Sequence, residues 1–231
     1  MKRFYDNVTV REVDGGWSVA LDHRVVLTQG RKPQVVPTRI LAELLAGEWR
    51  GQADEIDPRS LPHRDMADYA IDVVAADRNG VIDKLLAYAE TDTLCYRADP
   101  EEPLWRRQQE VWEPLVTALE AREGIRMERV SGVVPRAPSA ETLAALRKRI
   151  ERPDPFRMAA LETLTSLSAS LCIGLAALEP DADGEALWDA ANLEEDWQTE
   201  RWGVDVEAAA RRSERRTAFL SALEFARAAR A

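Results

Sequence analysis

The sequence predicts an α+β protein, with a small N-terminal antiparallel β-sheet domain over residues 1–60 followed by a larger, mainly α-helical domain over residues 61–231. Three observations predict it. Between Val8 and Val36 short apolar runs alternate with polar residues and are broken by turn sequence. From residue 61 onward apolar residues recur at the three- and four-residue spacings of helices. Prolines preceded by a capping Ser or Asp mark where those helices begin.

The strand candidates are Val8-Thr9-Val10, the alternating Trp17, Val19 and Leu21, and Val25-Val26-Leu27. Asp14-Gly15-Gly16 supplies one turn, because glycine takes a positive φ without steric cost, and Asp22-His23 supplies the next. Such a meander buries one face and needs a cover. The helix carrying Ile40, Leu41, Leu44, Leu45 and Trp49 provides it.

Ser60 is the expected N-cap of the following helix, with Pro62 in its first turn. Its apolar face is Met66, Tyr69, Ala70, Val73 and Val74. Asp68 and Asp72, four apart, have the spacing of a cation pair but lie opposite that face, which predicts a solvated surface. A short helix over Val81–Ala89 comes next. Asp99 and Pro100 then predict the start of a long helix carrying Leu104, Trp105, Gln108, Val111, Trp112, Leu115 and Leu119, with a kink at Pro114. Strand candidates within Ile125–Val134 suggest a strand, helix, strand unit over Thr93–Val134. Ala137-Pro138-Ser139 caps a helix around Leu143, Leu146 and Ile150. Phe156–Leu178 is apolar on nearly every side. Arg157, Glu162 and five Ser or Thr residues interrupt it, so it predicts a central helix rather than a membrane span. The last helix turns Phe219, Leu220, Leu223 and Ala226 inward and carries Arg211, Arg212, Arg215 and Arg216 along an ion-paired face.

The stretch Leu193–Glu207 breaks the pattern. On one continuous helical wheel Leu187, Trp188, Ala190, Ala191, Leu193, Trp197 and Trp202 share an arc, and Glu194, Glu195 and Gln198 fall inside it. A carboxylate in an apolar setting needs hydrogen-bond donors, a counter-charge or a partner molecule that brings them. The conventional solution is an arginine elsewhere in the fold.

Composition narrows the function classes. With 31 Lys and Arg against 41 Asp and Glu the net charge is −10, which disfavours nucleic acid and anionic lipid as partners. Cys95 and Cys172 sit in separate apolar runs and read as buried thiols of a reducing compartment. The N-terminus runs straight into strand-like sequence without signal- or transit-peptide features, which predicts a bacterial cytoplasmic protein. Catalytic chemistry is thin: there are two histidines and no Cys-x-x-Cys, Gly-x-Ser-x-Gly, Walker or dinucleotide fingerprint. No catalytic residue, cofactor or metal site is expected. Asp181-x-Asp183-Gly184 is out of register with a calcium loop and reads as a helix-capping turn.

Several blocks together resemble one known family. Glu194-x-x-Trp197-Gln198-x-Glu200-x-Trp202-Gly203, followed by acidic and Arg-rich sequence, looks like the last motif of the Atp-twelve family. Phe4-Tyr5, Gly16-Trp17-x-Val19-x-Leu21-Asp22-x-Arg24 and Pro33–Pro37 resemble its opening motif. Glu48-Trp49-x-x-Gln52, Ile56-x-Pro58, Leu61-Pro62, Ala70-Ile71-Asp72 and Thr91–Arg97 resemble its middle blocks. His23 and Ala169 stand where glycine is expected, and Gln29 where proline is. The family consists of assembly chaperones for the alpha subunit of the F-type ATP synthase catalytic head. The resemblance therefore implies ATP-independent binding of the unassembled alpha subunit by a protein that is monomeric when free and not membrane-embedded, with eukaryotic relatives in the mitochondrial matrix. It implies a client-binding role for Glu194, Glu195, Trp197, Gln198, Glu200, Trp202 and Gly203, with the family's functional acid at Glu194 or Glu195. Two other readings compete with it: a hydrolase-type enzyme using Glu194, Glu195 or His63 in acid–base work, and a scaffold without client specificity.

Overall fold

Strand β1 (Val8–Val13) pairs antiparallel with β2 (Gly16–Leu21) along its whole length, from Val8 opposite Leu21 to Val13 opposite Gly16. The other edge of β2 is shared. Its C-terminal end pairs with β3 (Arg24–Val25) and its N-terminal end with β4 (Val35–Val36), so the expected meander gains a fourth short strand. Gly16 makes this possible: it has φ +149°, and a Cβ there would lie 2.3 Å from the Val36 carbonyl oxygen. The structure, a computed structural model, describes residues 1–132 and 136–230.

The chain divides into two compact units. One comprises Met1–Arg78, Pro153–Ala160 and Ser221–Ala231, the other Asn79–Arg152 and Leu161–Leu220. By contact, the first unit thus extends past the change from strand to helix near residue 60.

In the first unit, helix α1 (Arg39–Arg50) covers the sheet with Leu41, Leu45 and Trp49, all buried. Thr38 caps it, its hydroxyl accepting from Leu41 N at 3.0 Å. Ile40, expected inward, is exposed in the first turn. Helix α2 (Pro62–Tyr69) corrects the expected cap. Glu48, on α1, receives His63 N at 2.7 Å and Arg64 N at 2.9 Å, satisfying the amides that a helix start leaves open. Ser60 instead accepts from Gln52 Nε2 at 2.8 Å. A π turn, Ala70–Val74, follows α2 and leaves Val73 exposed.

Asp68 and Asp72 are not a solvated surface. The loop between β3 and β4 lies over them. Asp68 is buried and accepts from Gln29 N at 3.1 Å and Gln34 Nε2 at 2.7 Å, while Asp72 accepts from Gly30 N at 2.8 Å and Thr28 Oγ1 at 3.0 Å. Loop amides need acceptors, and a helical wheel drawn for α2 alone does not contain the loop.

The second unit is helical. After α3 (Arg78–Glu90), β5 (Tyr96–Arg97) pairs parallel with β6 (Val130–Ser131), and α4 (Pro103–Glu123) is the crossover between them. This is the strand, helix, strand unit read from sequence; its final residues Val133 and Val134 lie outside the described residues. Helix α4 starts later than expected, with Glu102 as N-cap and Pro103 first, and it continues through Pro114. Ser139 caps α5 (Ala140–Ile150) as expected.

The apolar run Phe156–Leu178 is two helices, α6 (Pro155–Ser168) and α7 (Leu171–Ala177). Ala169 separates them with φ +50°. Ser170 caps α7 and donates to Asp92 Oδ1 at 2.7 Å, while Asp92 Oδ2 accepts from Cys172 N at 2.9 Å. Asp92 is fully buried, and desolvation raises its pKa against these donors. Helices α8 (Gly184–Ala191), α9 (Leu193–Trp202) and α10 (Val206–Ala228) complete the chain. Among the described residues no helix is long and apolar enough to cross a membrane.

Candidate functional site

The helix assumed continuous through Leu187–Trp202 is broken. Asn192, at φ −109° and ψ 14°, ends α8 and precedes α9, so the single wheel on which the acids shared an arc with the tryptophans does not exist. Each of the two helices has its own register, and α9 sorts the candidate residues onto separate faces.

One face meets α4. Glu194 accepts from Gln108 Nε2 at 2.7 Å. Gln108 is wholly buried, and its Oε1 accepts from Ala98 N at 2.8 Å, which fixes the amide so that its NH2 faces Glu194. No cation pairs with Glu194 among the described residues. Desolvation raises its pKa, and the Gln108 hydrogen bond opposes that only in part. Of the partners the sequence left open for these acids, hydrogen-bond donors, an arginine or a partner molecule, the fold gives Glu194 a neutral donor. Trp197, half-buried, lies between two guanidinium groups, Arg201 at 4.4 Å and Arg107 at 5.8 Å from its ring centre. Arg107 Nη1 also donates to both oxygens of Glu200, at 2.9 and 2.7 Å. Arg212, on α10, holds Asp196 with Nη2 to Oδ2 at 2.8 Å.

The other face is turned to solvent. At about 100° per residue, Gln198, Trp202 and Glu195 fall within about 60° of one another. Glu195 is half-buried, and Gln198 and Trp202 are exposed. Gly203, at φ +92°, ends the helix by returning its N–H to Thr199 O at 2.9 Å. On either side of it the chain is apolar but uncovered: Trp202 is 77 %, Val204 69 % and Val206 80 % exposed. Asp205 lies between the valines and caps α10, accepting from Glu207 N at 2.9 Å and Ala208 N at 3.1 Å.

Seven residues singled out from sequence are thus one helix and its cap, divided between a structural face with Glu194, Trp197 and Glu200 and an outward face with Glu195, Gln198 and Trp202. Sequence reasoning placed Gln108 on the apolar face of α4 without giving it a role, and missed Arg107, Val204 and Val206. The valines carry a legible signal, an apolar pair around an acid in an otherwise charged connection. Gln108 carries a signal of burial, a polar residue on an apolar helix face, but its pairing with Glu194 exists only once α4 and α9 pack.

His63 has a geometry that invites a catalytic reading. Its Nε2 lies 2.8 Å from Ser221 Oγ, and its Nδ1 lies 2.9 Å from Glu48 Oε1. That carboxylate is already committed to the first amides of α2, and Nδ1 makes no directed hydrogen bond. Ser221 sits inside α10, and the imidazole stacks on Phe225 at 6.3 Å. The cluster is a pin between α2 and α10.

The exposed apolar side chains around the end of α9 give the chain the surface of a binding protein, and its likeness to known proteins gives the class, an assembly chaperone. A family model described as "ATP12 chaperone protein" matches residues 2–120. The chain belongs to the ATP12 chaperone family, whose members are ATP synthase assembly factors. The crystal structure of Atp12 from Paracoccus denitrificans is 35% identical, with a TM-score of 0.94 over 99% of this chain and 98% of that one. A protein structure from Agrobacterium tumefaciens is 37% identical at a TM-score of 0.94, covering 99% of this chain and 86% of that one. The mitochondrial protein atp12 of Schizosaccharomyces pombe is 25% identical over 214 residues, 87% of this chain and 74% of its own. The family model ends before α9, whereas the structural matches include it.

Proposed function

We propose that the chain binds the unassembled alpha subunit of the F-type ATP synthase catalytic head without ATP, keeps it from aggregating and surrenders it to the beta subunit. One observation carries this reading: Trp202, Val204 and Val206 are large apolar side chains within five positions, and each is more than two-thirds exposed. Contiguous exposed apolar surface marks a place where another protein docks. An unassembled subunit has the complementary problem of apolar interface awaiting its neighbour. A binder that covers that interface lowers the aggregating population by mass action and spends no nucleotide. Release requires only that beta bind more tightly.

Within this reading the two candidate acids have different tasks. Glu194 holds α9 against α4 through Gln108, which sets the angle at which the tip is presented. Glu195, on the outward face beside Trp202, pairs with a basic group of the client. The protein is monomeric when free and acts in the bacterial cytoplasm.

The test is light scattering of purified alpha subunit diluted from denaturant without nucleotide. The proposal expects suppression at a near-stoichiometric ratio of this protein. Undiminished scattering at a several-fold excess contradicts it.

A further inference from the structure

In the unit of Asn79–Arg152 and Leu161–Leu220, an open groove of about 570 Å³ lies against α4, α7, α8 and the turn before α8. Its walls are apolar, with Pro114, Leu115 and Ala118 on α4 facing Ala176 and Leu187. The volume falls within the roughly 300–1,000 Å³ typical of binding clefts. Pro114 adds a polar feature: lacking an N–H, it returns no hydrogen bond to the Glu110 carbonyl one turn back.

The rim is acidic. Glu110 and Asp181 both line the groove, are exposed, and have no basic side chain within ion-pair distance among the described residues. Glu179, on the same rim, shows what pairing looks like here: Arg122 lies 2.6 Å away and Arg149 3.1 Å away. An apolar trough edged by uncommitted carboxylates, in a chain of net charge −10, is complementary to a segment with an apolar stripe and flanking cations.

We infer that this groove is a second docking site, which takes the apolar face of a basic amphipathic helical segment of a protein partner. Apolar side chains of the segment enter between α4 and α8, and its Lys or Arg residues reach Glu110 and Asp181. The choice of a polypeptide as occupant rests on the chaperone reading. The site itself is independent of α9.

The probe is a fluorescein-labelled helical peptide of Leu and Lys with leucines at i, i+3, i+4 and i+7, compared with a scrambled peptide and with one carrying Glu in place of Lys, all by anisotropy with the full chain. The basic amphipathic peptide binds best. Ala118→Trp, which fills the groove from an exposed position, weakens it by about tenfold or more, and Glu110→Lys with Asp181→Lys shifts preference to the acidic peptide. Circular dichroism checks each fold; if Ala118→Trp does not fold, the rim charge reversal decides alone. Trp202→Ser leaves peptide affinity unchanged. Equal binding of the scrambled peptide, undiminished binding by the groove variants, or loss of binding in Trp202→Ser overturns the inference. The α9 reading is judged separately, by Trp202→Ser in alpha-subunit light scattering, so either can fail without the other.

Discussion

Gln108 donates to Glu194 across 2.7 Å between α4 and α9, and its own carbonyl oxygen is held by Ala98 N. The Gln108 amide therefore satisfies two groups at once. Gln108→Leu keeps the volume but leaves the Ala98 N–H and the Glu194 carboxyl without the partner that Gln108 gives each of them. We expect a loss of about 1–3 kcal/mol, measured as a lower urea midpoint with unchanged slope.

The same carboxyl gives a pH dependence whose sign is fixed. Desolvation holds Glu194 above its ordinary value of 4.5. The folded state therefore binds this proton more readily than the unfolded chain, and the stability so gained is lost as pH rises from about 4.5 through the raised value. Glu113 behaves oppositely. The Arg129 hydrogen bond, against some desolvation, holds it below 4.5. Its contribution is present above that value and is lost as pH falls through the lowered one. Urea midpoints measured against pH should lose the decline that sets in as pH rises above about 4.5 in Glu194→Gln, and the decline that sets in as pH falls below it in Glu113→Gln.

The alternation around Trp17, Val19 and Leu21 was enough to place β2, and the 3.6-residue spacing was enough to place α1 and α4, because those signals are local. What sequence could not show were the partners brought in by packing. Asp68 and Asp72 looked solvated because the loop that buries them lies about forty residues earlier. Ser60 looked like a cap, yet Glu48 on another helix does that work. The α9 motif was legible as a block of residues through its family resemblance, but its division into two faces was not, because Asn192 breaks the helix that the wheel assumed.

Ala169 illustrates a departure with an energetic consequence. The position resembles one where the family carries glycine, and here the residue adopts φ +50°, a conformation costing a non-glycine residue roughly 1 kcal/mol. Ala169→Gly should raise stability by no more than about 0.6 kcal/mol, once roughly 0.4–1 kcal/mol is subtracted for the added freedom of the unfolded chain. Thermal denaturation checks it.

Gly174 is the converse. A Cβ there would lie 2.1 Å from Thr165 Oγ1 and 3.1 Å from Leu161 Cδ1, between α6 and α7. Gly174→Ala should destabilise by about 1–3 kcal/mol through overpacking. Pairing it with Thr165→Ala, which removes the clashing hydroxyl, should recover part of the loss in the same thermal scan.

The outward tip of α9 is the part of the molecule on which the chaperone account depends. The direct measurement is titration of labelled alpha subunit with the native chain and with a Trp202→Ser, Val204→Ser, Val206→Ser variant, checking each fold by circular dichroism. The account predicts that the variant retains its helix content and melting temperature and loses about tenfold or more in affinity. Equal affinity of the two proteins for the alpha subunit would contradict it.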